Sequence, residues 1–125
     1  MQHVKTVHVL IIEDSKYSAD LNVRELRRGG FDVHWKRVST EEAMRAALEE
    51  EGWDVILSDS ATPCFHAVKA LWVRNSVSPR TPFILVSEDD SSESIRYAME
   101  NGCCAYLLKE NLHQLAILVQ KMLER

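Results

Sequence analysis

The sequence predicts an α/β fold, a parallel sheet with helices packed on both faces, filling residues 1–125 as one domain. Three observations lead there. Short apolar runs alternate with amphipathic stretches about five times, the pattern of a parallel sheet with crossover helices. Glycines and capping residues punctuate the junctions. Successive apolar runs also close on chemistry-bearing residues at the same end: Glu13-Asp14, Asp59, Ser87 and Lys109. In such sheets ligands bind outside the carboxyl ends of the strands, where strand order reverses.

The first strand is the run at 7–12, which stops at Glu13-Asp14. Residues 15–28 place Tyr17, Leu21, Val23 and Leu26 near helical spacing, and Gly29-Gly30 supplies the stop. Residues 31–35 alternate apolar and polar, as a half-buried edge strand does. Ser39-Thr40-Glu41-Glu42 reads as a capping box for a helix carrying Ala43, Ala46, Ala47 and Leu48 and ending at Gly52. The third strand runs from Trp53 to Asp59 and the fourth from Pro82 to Val86, ahead of Ser87. Residues 65–75 and 91–101 are helices, the second closed by Gly102. The fifth strand, Ala105-Tyr106-Leu107-Leu108, stops at Lys109. Asn111 is the expected N-cap of a last helix with Leu112, Leu115, Leu118, Val119 and Leu123 inward.

A length of 125 residues suffices for one domain with a real core and not for two. Apolar content of 46% and charged content of 27% are ordinary for a globular protein. A net charge of −4, with no basic stripe, argues against direct nucleic-acid binding. No apolar stretch approaches a membrane span, and the start at Met1 lacks a signal peptide's apolar core. Cys64, Cys103 and Cys104 are odd in number and two are adjacent, which suits a reducing cytoplasm, with Cys103-Cys104 as small buried filler before a strand. There is no linker, repeat or low-complexity tract, and no output domain within these residues.

Adjacent parallel strands lie about 4.8 Å apart, so acids ending the first and third can share one cation. Glu13, Asp14 and Asp59 carry three formal negative charges, Lys109 returns one, and a divalent cation balances the remaining two. Oxygen-only ligands favour Mg²⁺ over zinc, and no His or Cys stands at zinc-ligand spacing. A carboxylate such as Asp59 can also act as a nucleophile toward phosphorus and form an aspartyl-phosphate. That transfer needs positioning and charge stabilisation more than acid–base work, which the cation, Lys109 and the Ser87 hydroxyl would supply.

The motifs Ile11-Ile12-Glu13-Asp14-Ser15, 54–63 around Asp59, 82–87 ending in Ser87, and 101–109 ending in Lys109 together resemble the receiver domain of two-component response regulators over essentially the whole chain. The closing Lys109-Glu110-Asn111-Leu112 is similar to the subgroup attached to sensor kinases or found as stand-alone regulators. The resemblance implies a flavodoxin-like (βα)5 doubly wound sheet of order 2-1-3-4-5. It makes Asp59 the phosphoacceptor and Asp14 the main acidic Mg²⁺ ligand, with Glu13 acting largely through water and the Ala61 carbonyl as a third protein ligand. Lys109 would contact the phosphoryl oxygens, and Ser87 and Tyr106 would be the switch pair. The implied partner is a sensor histidine kinase or a histidine phosphotransfer protein. The responsive surface would be the fourth helix, fifth strand and fifth helix, around 91–99, Tyr106 and 111–123, which would also serve a homodimer. Such a domain is not an enzyme in its own right but assists its own Mg²⁺-dependent phosphorylation and dephosphorylation.

Three departures from the family pattern stand out. Glu110 replaces a proline that often follows the lysine through a cis bond. Without proline a cis bond costs about 2.5–4 kcal/mol, which favours trans and a slightly shifted Lys109 loop but leaves the isomer open at the level of sequence. Ala67 replaces a common glycine, and Glu88 stands where a small residue is usual, followed by Asp89 and Asp90. These acids would repel an incoming anion by about 1 kcal/mol per pair at 4 Å in water. They keep alive a second reading, a receiver-like interaction module that no longer needs phosphate. A phosphatase of the haloacid dehalogenase type is disfavoured because Ala61 stands where its general acid belongs. A flavodoxin is disfavoured because Glu13-Asp14 would repel a flavin phosphate, and no glycine-rich nucleotide fingerprint appears.

Overall fold

The computed structural model describes residues 5–50, 52–59, 67–88 and 92–124. Five strands, β1 (Lys5–Ile12), β2 (Phe31–Val38), β3 (Val55–Asp59), β4 (Phe83–Ser87) and β5 (Ala105–Leu108), alternate with five helices. These are α1 (Lys16–Arg28), α2 (Glu41–Glu50), α3 (Ala67–Val77), α4 (Ser92–Glu100) and α5 (Leu115–Leu123), the last preceded by a 3₁₀ turn (Lys109–Gln114). All strand pairs are parallel in the order β2-β1-β3-β4-β5, the order that the family resemblance implies. Strand order therefore reverses between β1 and β3, and the ends of those two strands carry Glu13, Asp14 and Asp59.

Strand alternation divides the apolar residues between two layers. Val7, Val9 and Ile11 of β1, Leu57 of β3 and Val86 of β4 face Val23 and Leu26 of α1 and Leu115 and Val119 of α5. Leu10, Ile12, Ile56, Phe83 and Leu85 face the opposite way, against Met44 of α2, Leu71 of α3 and Ala98 of α4. The central strands β3 and β4 are buried along their whole length, which is why they read as continuous apolar runs. β2, at the edge, keeps the alternating pattern.

Local signals account for several helix ends. The Ser15 hydroxyl accepts from the Ser18 N–H and caps α1. At the far end of α1, a side chain at Gly29 would collide with the Cβ of Ala116 on α5, so the close approach of the two helices requires glycine. Gly30, with φ of 100°, makes the left-handed turn into β2. Gly102, with φ of 105°, closes α4, and Cys103 N–H returns to the Ala98 carbonyl at 3.0 Å.

Several expectations need correction. Tyr17 is not on the inner face of α1 but 73% exposed; the buried set is Ala19, Asn22, Val23 and Leu26, and Tyr17 lies about 200° around the helix from Ala19. In α2 the cap is Thr40, whose hydroxyl accepts from Ala43 N–H at 3.2 Å, and the inward pair is Met44 and Ala47 while Ala46 is exposed. Asn111 does not cap the last helix. It sits inside the 3₁₀ turn at φ −107° and ψ 23°, and α5 starts four residues later. Two anchors set that turn: Lys109 reaches back to Asp59, and Leu112 packs on the core. The Lys109–Glu110 peptide is trans. Phe65 and Ser91, the expected helix starts, and Ala61 lie outside the described residues.

Candidate functional site

Three strand ends and one loop build the site. The β1–β2 ladder continues one residue past β1, where Glu13 N–H donates to the Val38 carbonyl at 3.0 Å. This carries Glu13 inward, to 3% exposure, while Asp14 faces out. The Glu13 carboxylate then accepts from Ser15 N–H at 3.1 Å, in the turn that Ser15 uses to cap α1. Arg37 of β2 donates to the carbonyls of Glu13 and Asp14 at 3.3 and 3.4 Å, pinning the acidic turn from outside. Sequence reading missed that clamp, since only strand register places Arg37 there.

Asp59 ends β3 at 8% exposure. One carboxylate oxygen from each of Glu13, Asp14 and Asp59 fits within a 4.8 Å span. The Lys109 ammonium lies 3.4 Å from Asp59 Oδ1 and 3.7 Å from Glu88 Oε1. A small cavity of about 80 Å³ opens beside these groups, lined also by Ser18, Asn22 and Leu112. Ser87, buried, ends β4. Tyr106 is 44% exposed on β5 opposite Leu85, so strand alternation puts it on the same sheet face as Ser87. The structure thus brings Glu13, Asp14, Asp59 and Lys109 together and sets Ser87 and Tyr106 on neighbouring strands.

Burial pushes the Glu13 carboxyl from its ordinary 4.5 up to about 7, the nearby Asp59 charge adding to the rise and the Ser15 N–H opposing it. A carboxyl that holds its proton more tightly when folded adds stability below pH 4.5 and loses it as pH rises through about 7. In chelator, urea midpoints are therefore expected to fall across that window, and Glu13→Gln should flatten the fall. Added Mg²⁺ should reverse it, because a metal binds the ionised carboxylate. A chelated protein whose midpoint is flat or rises over the window contradicts this account of Glu13.

The donor set is all oxygen, buried on one side and doubly negative once Lys109 is counted, which fits a hard divalent cation. The order, the reversal point and the acid-bearing strand ends define the class: the chain has the fold of a response-regulator receiver domain. It is similar to the receiver domain of Francisella response regulator 1452, with 22% identity, a TM-score of 0.81, and coverage of 95% of this chain and 98% of that one. It is equally similar in fold to the receiver domain of the Pseudomonas aeruginosa sensor histidine kinase PA1611, a structure with magnesium coordinated in its active-site cleft. There the identity is 19%, the TM-score 0.81, and the coverage 96% and 99%. The phosphorylated cyanobacterial phytochrome response regulator RcpA matches at 22% identity and a TM-score of 0.74, over 95% of this chain and 92% of that one. Among curated proteins, two-component response regulator ARR11 of Arabidopsis thaliana is 22% identical over 120 residues. The chain spans only 23% of that relative's length, although 95% of its own. No family model matches.

Two further expectations concern the cysteines and the membrane. Cys103 is buried, its Sγ 3.0 Å from the Ala105 carbonyl, and burial pushes its thiol pKa up, as suits a packing residue; Cys104, also expected to be buried, is only partly so. Among the described residues no helix is long and apolar enough to cross a membrane.

Proposed function

We propose that this domain is a phosphoacceptor of two-component signalling, taking a phosphoryl group on Asp59 from a phosphohistidine of a kinase or phosphotransfer protein. The observation that carries the reading is the convergence of three carboxylates on one point with the Lys109 ammonium 3.4 Å from Asp59. In the transfer, an Asp59 oxygen bonds to phosphorus as the phosphorus–nitrogen bond to the donor imidazole breaks, and the electron pair leaves on the imidazole. Asp14 and Asp59 would hold Mg²⁺ directly, Glu13 through water, with the Ala61 carbonyl as a further ligand. The bound ion supplies positive charge against the phosphoryl oxygens. Lys109 donates to those oxygens, and Ser87 approaches them from β4 as Tyr106 turns inward. Tyr106 of β5 and Ile117 of α5, 44% and 63% exposed, line one shallow hollow, and this exposed apolar surface supports this face as the one that responds.

The test is Mg²⁺-dependent binding of beryllofluoride, followed by amide shifts at Ser87 and Tyr106. Saturable binding that needs Mg²⁺ supports the phosphoacceptor. No binding at millimolar beryllofluoride favours the phosphate-independent interaction module, a reading kept in view by the Glu88 carboxylate standing 3.7 Å from Lys109.

That contact has its own consequence. Glu88 competes for the ammonium that Asp59 needs and repels an anionic donor, each effect on the order of 1 kcal/mol in water. Glu88→Ala is expected to speed self-phosphorylation from acetyl phosphate roughly fivefold, by about 1 kcal/mol of barrier. An unchanged rate removes Glu88 from the account.

A further inference from the structure

The helix α1 turns Ala19, Asn22, Val23 and Leu26 toward the sheet, an apolar stripe broken by a single amide. Asn22 is only 6% exposed, and its side chain makes no hydrogen bond among the described residues. A buried amide without a partner costs stability, so an apolar residue is the ordinary occupant of such a position. The Asn22 amide is not sealed in, however. Among the described residues Arg74 Nε is the one side-chain atom both shut off from water and unpartnered. The amide of Asn22 therefore opens on the space that the residue borders. That space is the cavity of about 80 Å³ beside the acidic cleft, where Asn22 shares the wall with Asp59 and Lys109.

We propose that Asn22 is a positioning residue of the phosphoryl site, its amide holding the Lys109 ammonium on the Asp59 side through water in the cavity. The inference rests on Asp59 as phosphoacceptor and adds a residue that serves it. Unused hydrogen-bonding capacity is the first argument. Lys109 stands 3.4 Å from Asp59 Oδ1 and 3.7 Å from Glu88 Oε1, ion-pair contacts that lack hydrogen-bond geometry. An ammonium has three N–H donors, and an amide has an acceptor oxygen and two donors. Both groups line the same cavity. Room is the second argument. A space of about 80 Å³ admits several waters, and a buried water stays where it finds two to four polar partners. Ser18, one turn before Asn22 on α1, brings a hydroxyl to the same wall.

Direction is the third. Asp59 lines the cavity, whereas Glu88, with a side chain 79% exposed, does not. A hydrogen bond made from the cavity therefore draws the ammonium toward Asp59 and away from the competing carboxylate. Val86 and Leu112 close the cavity with apolar groups, and in such surroundings each hydrogen bond is stronger than in open water. Packing gives no reason for the amide, since leucine has a similar volume and suits a stripe of Ala19, Val23 and Leu26 better.

The test compares the whole native chain with Asn22→Leu. A held ammonium exchanges its protons slowly, so Lys109 should give a nitrogen–proton correlation in cold solution, assigned by its loss in Lys109→Arg. Asn22→Leu is expected to abolish that signal while the urea midpoint stays level or rises. Mg²⁺-dependent affinity for beryllofluoride should fall at least fivefold in the same variant. Where Asn22→Leu does not fold, Asn22→Ala carries the same expectations for the signal and the affinity. A Lys109 signal absent from the native chain or unchanged in the variant overturns the proposal, as does a fall in affinity of less than fivefold. A signal lost together with a lowered midpoint in Asn22→Leu also overturns it, by assigning the amide to the fold. A native chain that binds no beryllofluoride, yet loses the signal with Asn22, upholds the contact to Lys109 and overturns the phosphoacceptor reading instead.

Discussion

Asp59→Asn is expected to abolish phosphoryl transfer from a phosphorylated kinase or phosphotransfer protein, lowering the rate by at least about 10³-fold, or roughly 4 kcal/mol of barrier. The carboxamide has nearly the same shape, so the end of β3 keeps its place, but it lacks the anionic oxygen that must bond to phosphorus. It also removes one of the three charges gathered at the cleft and leaves Lys109 without the carboxylate now 3.4 Å away. A radiolabelled transfer assay comparing the native chain with the variant, at matched circular dichroism, reads the effect. Label retained by the variant at more than a tenth of the native level would move the acceptor elsewhere. The assay with candidate donors also identifies which kinase recognises the domain.

Phe83→Ala is expected to cost about 3–5 kcal/mol of folding stability. Phe83 opens β4, has 0% exposure, and fills the layer between the sheet and α2, α3 and α4. Its removal leaves a cavity that strands locked by parallel pairing on both sides cannot collapse around. A domain of this size commonly has only about 5–15 kcal/mol in total, so the variant should be near the edge of folding at 37 °C. Urea denaturation should show a lowered midpoint with an unchanged slope. A loss under about 1 kcal/mol would mean that the neighbouring side chains close the gap.

The path from sequence to the acidic cleft was short because its parts are local. Each acid ends a run whose β-character shows in its own residues, and parallel pairing brings the ends of all such runs to one edge. Glu13, Asp14, Asp59 and Lys109 therefore announce themselves without knowledge of any distance. Helix ends marked by Ser15, Gly29, Gly30 and Gly102 are legible for the same reason, since capping and left-handed turns act within four or five residues.

Other features depend on which segments meet. Arg74 in α3 reads as an ordinary basic residue near a helix end, yet it is buried, donating to the carbonyls of Pro79 at 2.8 Å and of Gly102 in a distant loop. Trp72 beside it is 53% exposed. Tyr17 looks like an inner residue of α1 until the phase of the helix on the sheet turns it outward. Glu88 reaches Lys109, Arg37 clasps the acidic turn, and His8 stacks on His34 through pairings made across strands.

The sequence by itself determined the alternating element types, the core-facing runs and the chemistry gathered at the strand ends, since these follow from periodicity and short-range backbone chemistry. Strand order followed from the family resemblance, whereas only the tertiary structure decided helix phase, the delayed start of α5 and the contacts made across strands. Those depend on register between segments far apart in the chain, and such register comes from packing the whole core at once, which no single window of residues contains.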